Sequence, residues 1–512
     1  MKTLFTPPVF SMIAATFFVW SALGVAEGKK HSVSSVVNDV VVLDINRVEL
    51  PLNNDGSTAE EGMAFYPAGS QLNFLFSGGF GICGYIQQDL RVSWMAKASR
   101  ILEWQPGTWG MDPEDSRAKF YEVSSEDGPG SSAYVEWADA VALGADFIDR
   151  DGDGQYDPLE DSPPLLGDRM VWTVYNDGTS MTMRFPRLGT YPMGLEIQQT
   201  VWAYADSGAL GDVIFFWMRI INVDSGAVDS LIYSVWCDPD LGEYDDDLVG
   251  VDTTLQLAYI YNDGDDVLYG ANPPAFGVKI LQGATVPSPG DTAIVFHGAG
   301  RGLDTLMHSK NLLLTSFIYW GDGFFPILET AGTARLYQEG GKDAWGDPID
   351  PTQWGIGGTP QTNPKFFYSG DPVTSSGWRD NVPSDKRFLV NSGSFNMALG
   401  DTQDIVFAYV VARGTDALNS ITEIRQRAVF LDHFFPDSLP LHIPRTNEGS
   451  DIPQEFRLLP NYPNPLNPFN PSTIIPFSVP RTARVTLAVY DVAGRKVVTL
   501  LDRVLEPGEY KV

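Results

Sequence analysis

From Arg169 onward the chain sets short apolar runs between clusters of Gly, Asp, Asn and Ser, the pattern of β-strands separated by turns. Leu195 to Tyr204 and Val213 to Val223 flank Asp206-Ser207-Gly208, which predicts two long strands around a turn. In the second run Val213, Phe215 and Trp217 alternate with Ile214, Phe216 and Met218, so both faces are apolar. Such a strand belongs between two layers, as in a sandwich. Phe388 to Leu399 and Ile405 to Ala412 predict a hairpin around Gly400-Asp401, its second strand again apolar on both sides. Val278 to Leu336, including Leu312 to Trp320, is also β-rich. Tyr-Asn-Asp-Gly closes two strand-like runs, at Tyr175 and at Tyr261, and Asp-Gly is a hairpin signal because both residues tolerate positive φ.

Before Arg169 the pattern is weaker. Val36 to Leu52 predicts a first strand, and residues 62–95 predict short strands with tight turns at Gly69, Gly78-Gly79, Gly81 and Gly84. Little regular structure is expected around Trp94, Trp104, Trp109 and Trp137. One helix is expected, from Asp416 or Ser420 to about Phe434, with Leu418, Ile421, Ile424, Ala428 and Leu431 along one face. Ser420 and Glu423 have capping-box spacing, and Pro436, Pro440 and Pro444 end the helix. The fold class is therefore mainly β: an antiparallel β-sandwich body with one C-terminal helix. Residues 338–382 form a long Gly/Pro/Asp-rich passage carrying Trp345, Trp354, Phe366, Phe367, Tyr368 and Trp378. These rings either pin the passage to the sandwich or stack on sugar rings at the surface.

With 512 residues and 43% hydrophobic content the chain is long enough for more than one core. Its 65 acidic against 34 basic residues, a net charge of -31, argue against nucleic acid or an anionic membrane as partner. Cys83 and Cys237 are the two cysteines, a candidate disulfide in an oxidising compartment, with two separate buried thiols the equal alternative.

The sharpest chemical signal is Asp149-Arg150-Asp151-Gly152-Asp153-Gly154-Gln155-Tyr156-Asp157-Pro158-Leu159-Glu160. Acidic residues at alternate positions let carboxylates converge on a hard cation that takes about six to eight oxygens, and Gly154 allows the sharp turn. The stretch resembles EF-hand-type calcium loops, including isolated copies in secreted proteins. That resemblance assigns Asp149, Asp151, Asp153, Asp157 and Glu160 as side-chain ligands, the carbonyl of Gln155 as a backbone ligand, and calcium as the cofactor. Pro158 and Pro163-Pro164 predict that no helix leaves the loop, as in a lone structural site. A second acidic cluster, Asp238, Asp240, Asp245, Asp246 and Asp247, is either a second cation site or a solvated loop with Asx turns.

Both ends of the chain carry export features. Met1 and Lys2 lead into the apolar run Val9 to Gly24 and then Val25-Ala26, the layout of a secretory signal peptide cleaved after Ala26. No other segment is apolar and long enough to span a bilayer as a helix, so the mature chain is expected to lack a transmembrane segment. Near the other end, Leu459-Pro460-Asn461-Tyr462-Pro463-Asn464-Pro465 is followed by Phe469-Asn470-Pro471-Ser472-Thr473, then Val485-Thr486-Leu487 and Val489-Tyr490-Asp491. This stretch resembles the C-terminal sorting domain of type IX secretion cargo, a relative of the Ig-like domain of flagellar hook-cap proteins. The resemblance implies sorting-motif roles for Asn461, Pro463, Asn464, Pro465, Asn470, Pro471 and Thr473, the type IX machinery as partner, and a secreted or outer-cell-surface location. The expected tail is a truncated Ig-like β-sandwich, because the chain stops at Val512 with about four strands where such a fold has roughly seven.

The expected organisation is a signal peptide at 1–26, an N-terminal β/loop region at 27–168, a β-sandwich body at 169–444, a linker at 445–455 and a sorting domain at 456–512. Two functions fit it. One is a non-catalytic surface protein, calcium-stabilised, used for adhesion or for binding an extracellular polysaccharide or other surface polymer. The other is a secreted hydrolase, a glycosidase or peptidase, since such tails also occur on these enzymes. The chain has no His-Glu-x-x-His and no Gly-x-Ser-x-Gly, so no catalytic residue is assigned. A pair of carboxylates in a cleft would suffice for a glycosidase.

Overall fold

Strands that are apolar on both faces need cover on both sides, and two antiparallel sheets with a helix behind one of them provide it. The structure is a computed structural model and describes residues 39–60, 62–224, 226–299, 302–321, 330–438, 456–458, 475–490, 496–505 and 508–511. The expected signal peptide, the linker at 445–455 and the sorting-motif residues Asn461, Pro463, Asn464, Pro465, Asn470, Pro471 and Thr473 lie outside the described residues.

The sheets are built from β1 (Ser77–Ile86), β2 (Asp89–Ala96), β3 (Ile101–Leu102), β4 (Gln105–Pro106), β5 (Tyr121–Ser124), β6 (Arg169–Asn176), β7 (Leu195–Ala203) and β8 (Val213–Asn222). They continue with β9 (Val228–Asp238), β10 (Leu248–Asp252), β11 (Leu257–Tyr261), β12 (Ala275–Gln282), β13 (Ser316–Trp320), β14 (Arg387–Met397) and β15 (Thr402–Ala412). The nine-stranded sheet has the order β10-β11-β12-β15-β8-β7-β6-β4, with β5 also paired to β6. The six-stranded sheet has the order β13-β14-β9-β1-β2-β3. The helices are α1 (Ser132–Ala142), α2 (Ala331–Glu339) and α3 (Ala417–Ser438).

The mainly β, sandwich-type fold is as the hydrophobic pattern predicts. In β8, Ile214, Phe216, Met218 and Ile220 enter the core between the sheets, whereas Val213, Phe215 and Trp217 enter a second core on the opposite face. β15 divides the same way, with Phe407 and Tyr409 on one side and Val406, Ala408 and Val410 on the other. Phe216 and Phe407 face each other across the β8–β15 pairing with rings 4.8 Å apart. α3 covers the second core with Ile421, Ile424, Ala428 and Leu431, all fully buried; burying each Ile or Leu side chain contributes about 1.5–3 kcal/mol. Its first turn is capped by Asp416, whose Oδ1 accepts from Asn419 N at 2.8 Å. Ser420 is not the cap: its hydroxyl donates to the Pro273 carbonyl at 2.7 Å from inside the helix.

Several expectations are corrected. Val40–Leu43 and Leu50–Asn53 form an antiparallel pair in place of one first strand. Gly78, Gly79, Gly81 and Gly84 lie inside the uninterrupted β1 and mark close packing, since a Cβ on Gly81 would stand 2.4 Å from the Trp94 ring. Neither Asn-Asp-Gly closes a two-residue hairpin. Asp177 and Asn262 are buried at the starts of the longer connections from β6 to β7 and from β11 to β12. α1 and α2 were not expected. Ser131 caps α1 by accepting from Tyr134 N, and Thr330 caps α2 by accepting from Thr333 N at 3.1 Å.

Strand pairing crosses the boundary expected at residue 168. β1 lies between β9 and β2, and β4 and β5 both pair with β6, so residues on either side of that position share both sheets. The disulfide is also corrected. Cys83 faces Ile232 and Cys237 faces Gly78, five residues further along the β1–β9 ladder. That is roughly 17 Å at the strand rise, against the ~5.5–6 Å between Cα atoms of a disulfide. Both cysteines are buried free thiols.

In the passage at 338–382, Phe367, Tyr368 and Trp378 are fully buried, and Trp378 Nε1 donates to the Trp354 carbonyl at 2.5 Å. The passage runs along the edges of both sheets. Val249 N of β10 donates to Asp380 Oδ2 at 3.0 Å, and Phe317 N of β13 donates to the Lys365 carbonyl at 2.8 Å. These rings are pins; Trp345, 72% exposed, is the exception. In the tail, Arg457–Leu458, Pro476–Val479 and Gly508–Lys511 form one small sheet and Ala483–Tyr490 pairs with Lys496–Leu505.

Candidate cation sites

α1 leads toward the predicted calcium loop, and its buried Trp137 donates from Nε1 to the Asp146 carbonyl at 3.1 Å. Asp146 also ion-pairs with Arg219 of β8 at 3.0 Å, and Arg219 reaches Asp404 of β15 at 3.3 Å while lying 4.6 Å over the Trp217 ring. The chain just before the loop is thus tied to the nine-stranded sheet. A two-way bridge between Ile148 and Ser162 closes the neck.

Inside the loop, Asp149 accepts from Gly152 N at 2.7 Å and from Gly154 N at 3.0 Å. Asp151 accepts from Asp153 N at 3.1 Å, and Asp153 from Gln155 N at 2.7 Å. Gly152 and Gly154 take φ values of 79° and 77°, the left-handed region that glycine adopts without strain. Asp149, Asp151 and Asp153 are exposed, and each brings a carboxylate oxygen within 4.8 Å of the other two. No Lys or Arg ion-pairs with any of the three among the described residues. Glu160 returns to the group: Asp151 first, then Asp157, hold its carboxyl above the ordinary range by like-charge repulsion. Asp157 turns its Oδ1 to Leu159 N at 2.8 Å, and Gln155 is exposed. No helix follows the loop, as the prolines predict.

Asp161 escapes the calcium-loop pattern yet holds it together. It is 1% exposed and accepts from Arg150 N at 2.8 Å and from Asp157 N at 2.9 Å, joining the two halves of the turn. Its only sequence signal is a carboxylate directly after the last ligand position. Tyr156 anchors the loop to α1 by donating to the Tyr134 carbonyl at 2.9 Å.

The second acidic cluster divides. Asp238 and Asp240 converge with Asp385, each offering an oxygen within 4.8 Å of the others. Arg387 lies beside them, Nε 3.1 Å from Asp238 Oδ1 and Nη1 2.9 Å from Asp385 Oδ2. Burial raises the carboxyls of Asp238 and Asp240 to about 7. Asp245, Asp246 and Asp247 do not join. Asp246 Oδ1 and Asp247 Oδ1 accept from Asn262 Nδ2 at 2.7 and 3.3 Å, which staples their loop to the end of β11, and Asp245 is exposed. Asp385 is invisible to a local motif because only the β9–β14 pairing brings it near Asp238.

A cleft of about 390 Å³ lies between α3 and the hairpin Thr285–Phe296/Leu303–Asn311. Asp291 and Asp432 line it, but Asp432 ion-pairs with Lys279 at 2.7 Å and Asp291 accepts from the Ser288 hydroxyl at 2.5 Å. Among the described residues, no helix is long and apolar enough to cross a membrane. No protein-family model matches the chain, and no curated protein matches it at a significant level.

Proposed function

We propose that the protein is a secreted or cell-surface cargo of the type IX route, a calcium-stabilised β-sandwich that serves in adhesion or polymer binding. The observation that carries the calcium part is the convergence of the Asp149, Asp151 and Asp153 carboxylates without a basic partner among the described residues. Bound calcium would be held by these three, by Glu160 and by Asp157, with the Gln155 carbonyl and water completing the oxygen shell. It would replace repulsion among carboxylates with a tie between the neck and the far side of the turn. The delivery part rests on the sequence resemblance of the two ends. The binding role is supported by two large sheets and by the engagement of Asp291 and Asp432, in the cleft beside α3, with neighbouring groups. Trp345 is the aromatic side chain of the long passage placed to meet a polymer.

The alternative, a glycosidase, is favoured by the presence of Asp291 and Asp432 in one cleft. Thermal melting of chelator-treated protein, with and without calcium, tests the cation. Calcium at about 100 times its Kd adds about 2.7 kcal/mol, a rise of a few degrees. The Asp151→Asn/Asp153→Asn variant should respond less than the wild type; equal responses would overturn the loop as a site. A pull-down on insoluble polysaccharides, run beside a reducing-sugar assay, separates binding from hydrolysis. Retention without product supports the proposal, and product that vanishes in Asp291→Asn or Asp432→Asn replaces it with the enzyme.

A further inference from the structure

The strand Leu50–Asn53 runs into a turn closed by Gly56 N on the Asn53 carbonyl and by Asn53 N on the Ser57 carbonyl, each at 3.0 Å. Thr58 then pairs both ways with Gly78 of β1. Asp55 is buried in this turn, and its Oδ1 accepts from Ser57 N at 3.0 Å and from the Ser57 hydroxyl at 2.6 Å. That grip turns Oδ2 to Lys97, the residue directly after β2, whose Nζ lies 3.1 Å away. The Lys97 nitrogen is buried and makes no hydrogen bond. The two charges have therefore left water without the hydrogen bonds that normally offset the loss. Glu60 completes the group. Its Oε1 accepts from the Ser77 hydroxyl and from Ala98 N at 3.2 Å, which fixes it beside the turn that carries Lys97. Burial raises its carboxyl to about 7, and the charges of Lys97 and Asp55 both act on it.

We propose that Asp55 and Lys97 join in an intramolecular amide between Cγ and Nζ, with Glu60 as the acid and base of the step. An amine, a carboxyl carbon and a carboxylic acid are held here by rigid turns and out of water, which favours bond formation between neighbours. A proton passes from Nζ to Oδ2, leaving a neutral amine and a neutral acid. The nitrogen lone pair attacks Cγ, and charge builds on Oδ1, where the Ser57 N–H and hydroxyl already donate. Glu60 gives its proton to Oδ2, the Cγ–Oδ2 bond breaks, and Oδ2 departs as water. Glu60 then takes a proton from the nitrogen and ends as it began. Nothing is oxidised or reduced, and no co-reactant is needed. The product removes two buried charges and ties the N-terminal strand pair to the end of β2, a covalent link that the two free cysteines do not supply.

Intact-mass spectrometry of the full-length protein, unfolded in acid, compares the wild type with Lys97→Arg and with Asp55→Ala. Each variant should be heavier than its substitution alone accounts for, by one water. The comparison cancels any processing at the chain ends, and mass is read on the unfolded chain, so a variant that folds poorly still reports. A difference equal to the substitution alone, in either variant, overturns the proposal. Trypsin digestion of the unfolded wild type adds a second reading. Lys97 should resist cleavage, and fragment spectra should place Asp55 on its side chain; a clean cut after Lys97 overturns the proposal as well. Glu60→Gln should also carry the extra water, and a Glu60→Gln protein that lacks it removes Glu60 from the step.

Discussion

Glu103 and Asp177 are two fully buried carboxylates beside one buried guanidinium, Arg184, whose Nη2 lies 3.4 Å from Glu103 Oε2 and whose Nη1 donates to the Asp177 backbone carbonyl at 2.9 Å. They are not equivalent. Asp177 accepts from the Ser93 hydroxyl at 2.7 Å, Met193 N at 2.6 Å and Leu195 N at 2.9 Å, whereas Glu103 accepts from Trp94 N at 2.9 Å and its Oε1 makes no hydrogen bond. Burial raises both carboxyls, and for Glu103 it outweighs Arg184 and carries the group to about 7. A folded pKa above the unfolded one means that folding holds a proton which the unfolded chain releases. The stabilisation is complete below pH 4.5 and is lost as pH rises through about 7. This residue should contribute a fall of up to about 1.4 kcal/mol per pH unit inside that window. Glu103→Gln should flatten the slope in urea melts run from pH 4.5 to 8; an unchanged slope would place the proton elsewhere. None of this was visible in the sequence, where Glu103 is one acid among 65.

At the scale of elements, the passage at 338–382 has little regular structure of its own after α2 and relies on its rings. Trp378 packs on Phe367 at 5.2 Å and on Tyr368 at 5.3 Å between ring centroids. Trp378→Ala should cost about 3–5 kcal/mol and open the passage to limited proteolysis while α3 stays protected. Cleavage spread evenly over the chain would show instead that the passage is not a separate unit. The strands and helix that were legible in the sequence are those whose pattern records their surroundings. β8 and β15 are apolar on both faces because a second sheet covers one face and α3 the other. β1 was misread because its glycines serve the Trp94 ring and the neighbouring backbone rather than turns. α1 was missed because it is short, sits between Gly130 and Gly144, and leaves Val135 53% exposed, so its apolar face is poorly marked.

For the whole molecule, Cys83 and Cys237 report on integrity. Burial holds both thiols well above their ordinary pKa, so the native protein should not react with Ellman's reagent and should yield two thiols per chain in guanidinium. Melting temperatures with and without reductant should coincide. A native protein with no titratable thiol after denaturation would contradict the β1–β9 register. The convergence of Asp149, Asp151 and Asp153 was legible because the three are local in sequence. The Asp238, Asp240 and Asp385 group was legible only in part, since its third member depends on a pairing between strands about 150 residues apart.

The position of β1 between β9 and β2, with β14 beyond β9, has a consequence for the chain as it is made. A ribosome releasing residues in order delivers β1 first, its inner neighbour some 150 residues later, and the strand that seals that neighbour only at Arg387–Met397. Until then β9 offers an unpaired apolar edge, so nascent fragments ending before Met397 should need a holding chaperone or should aggregate.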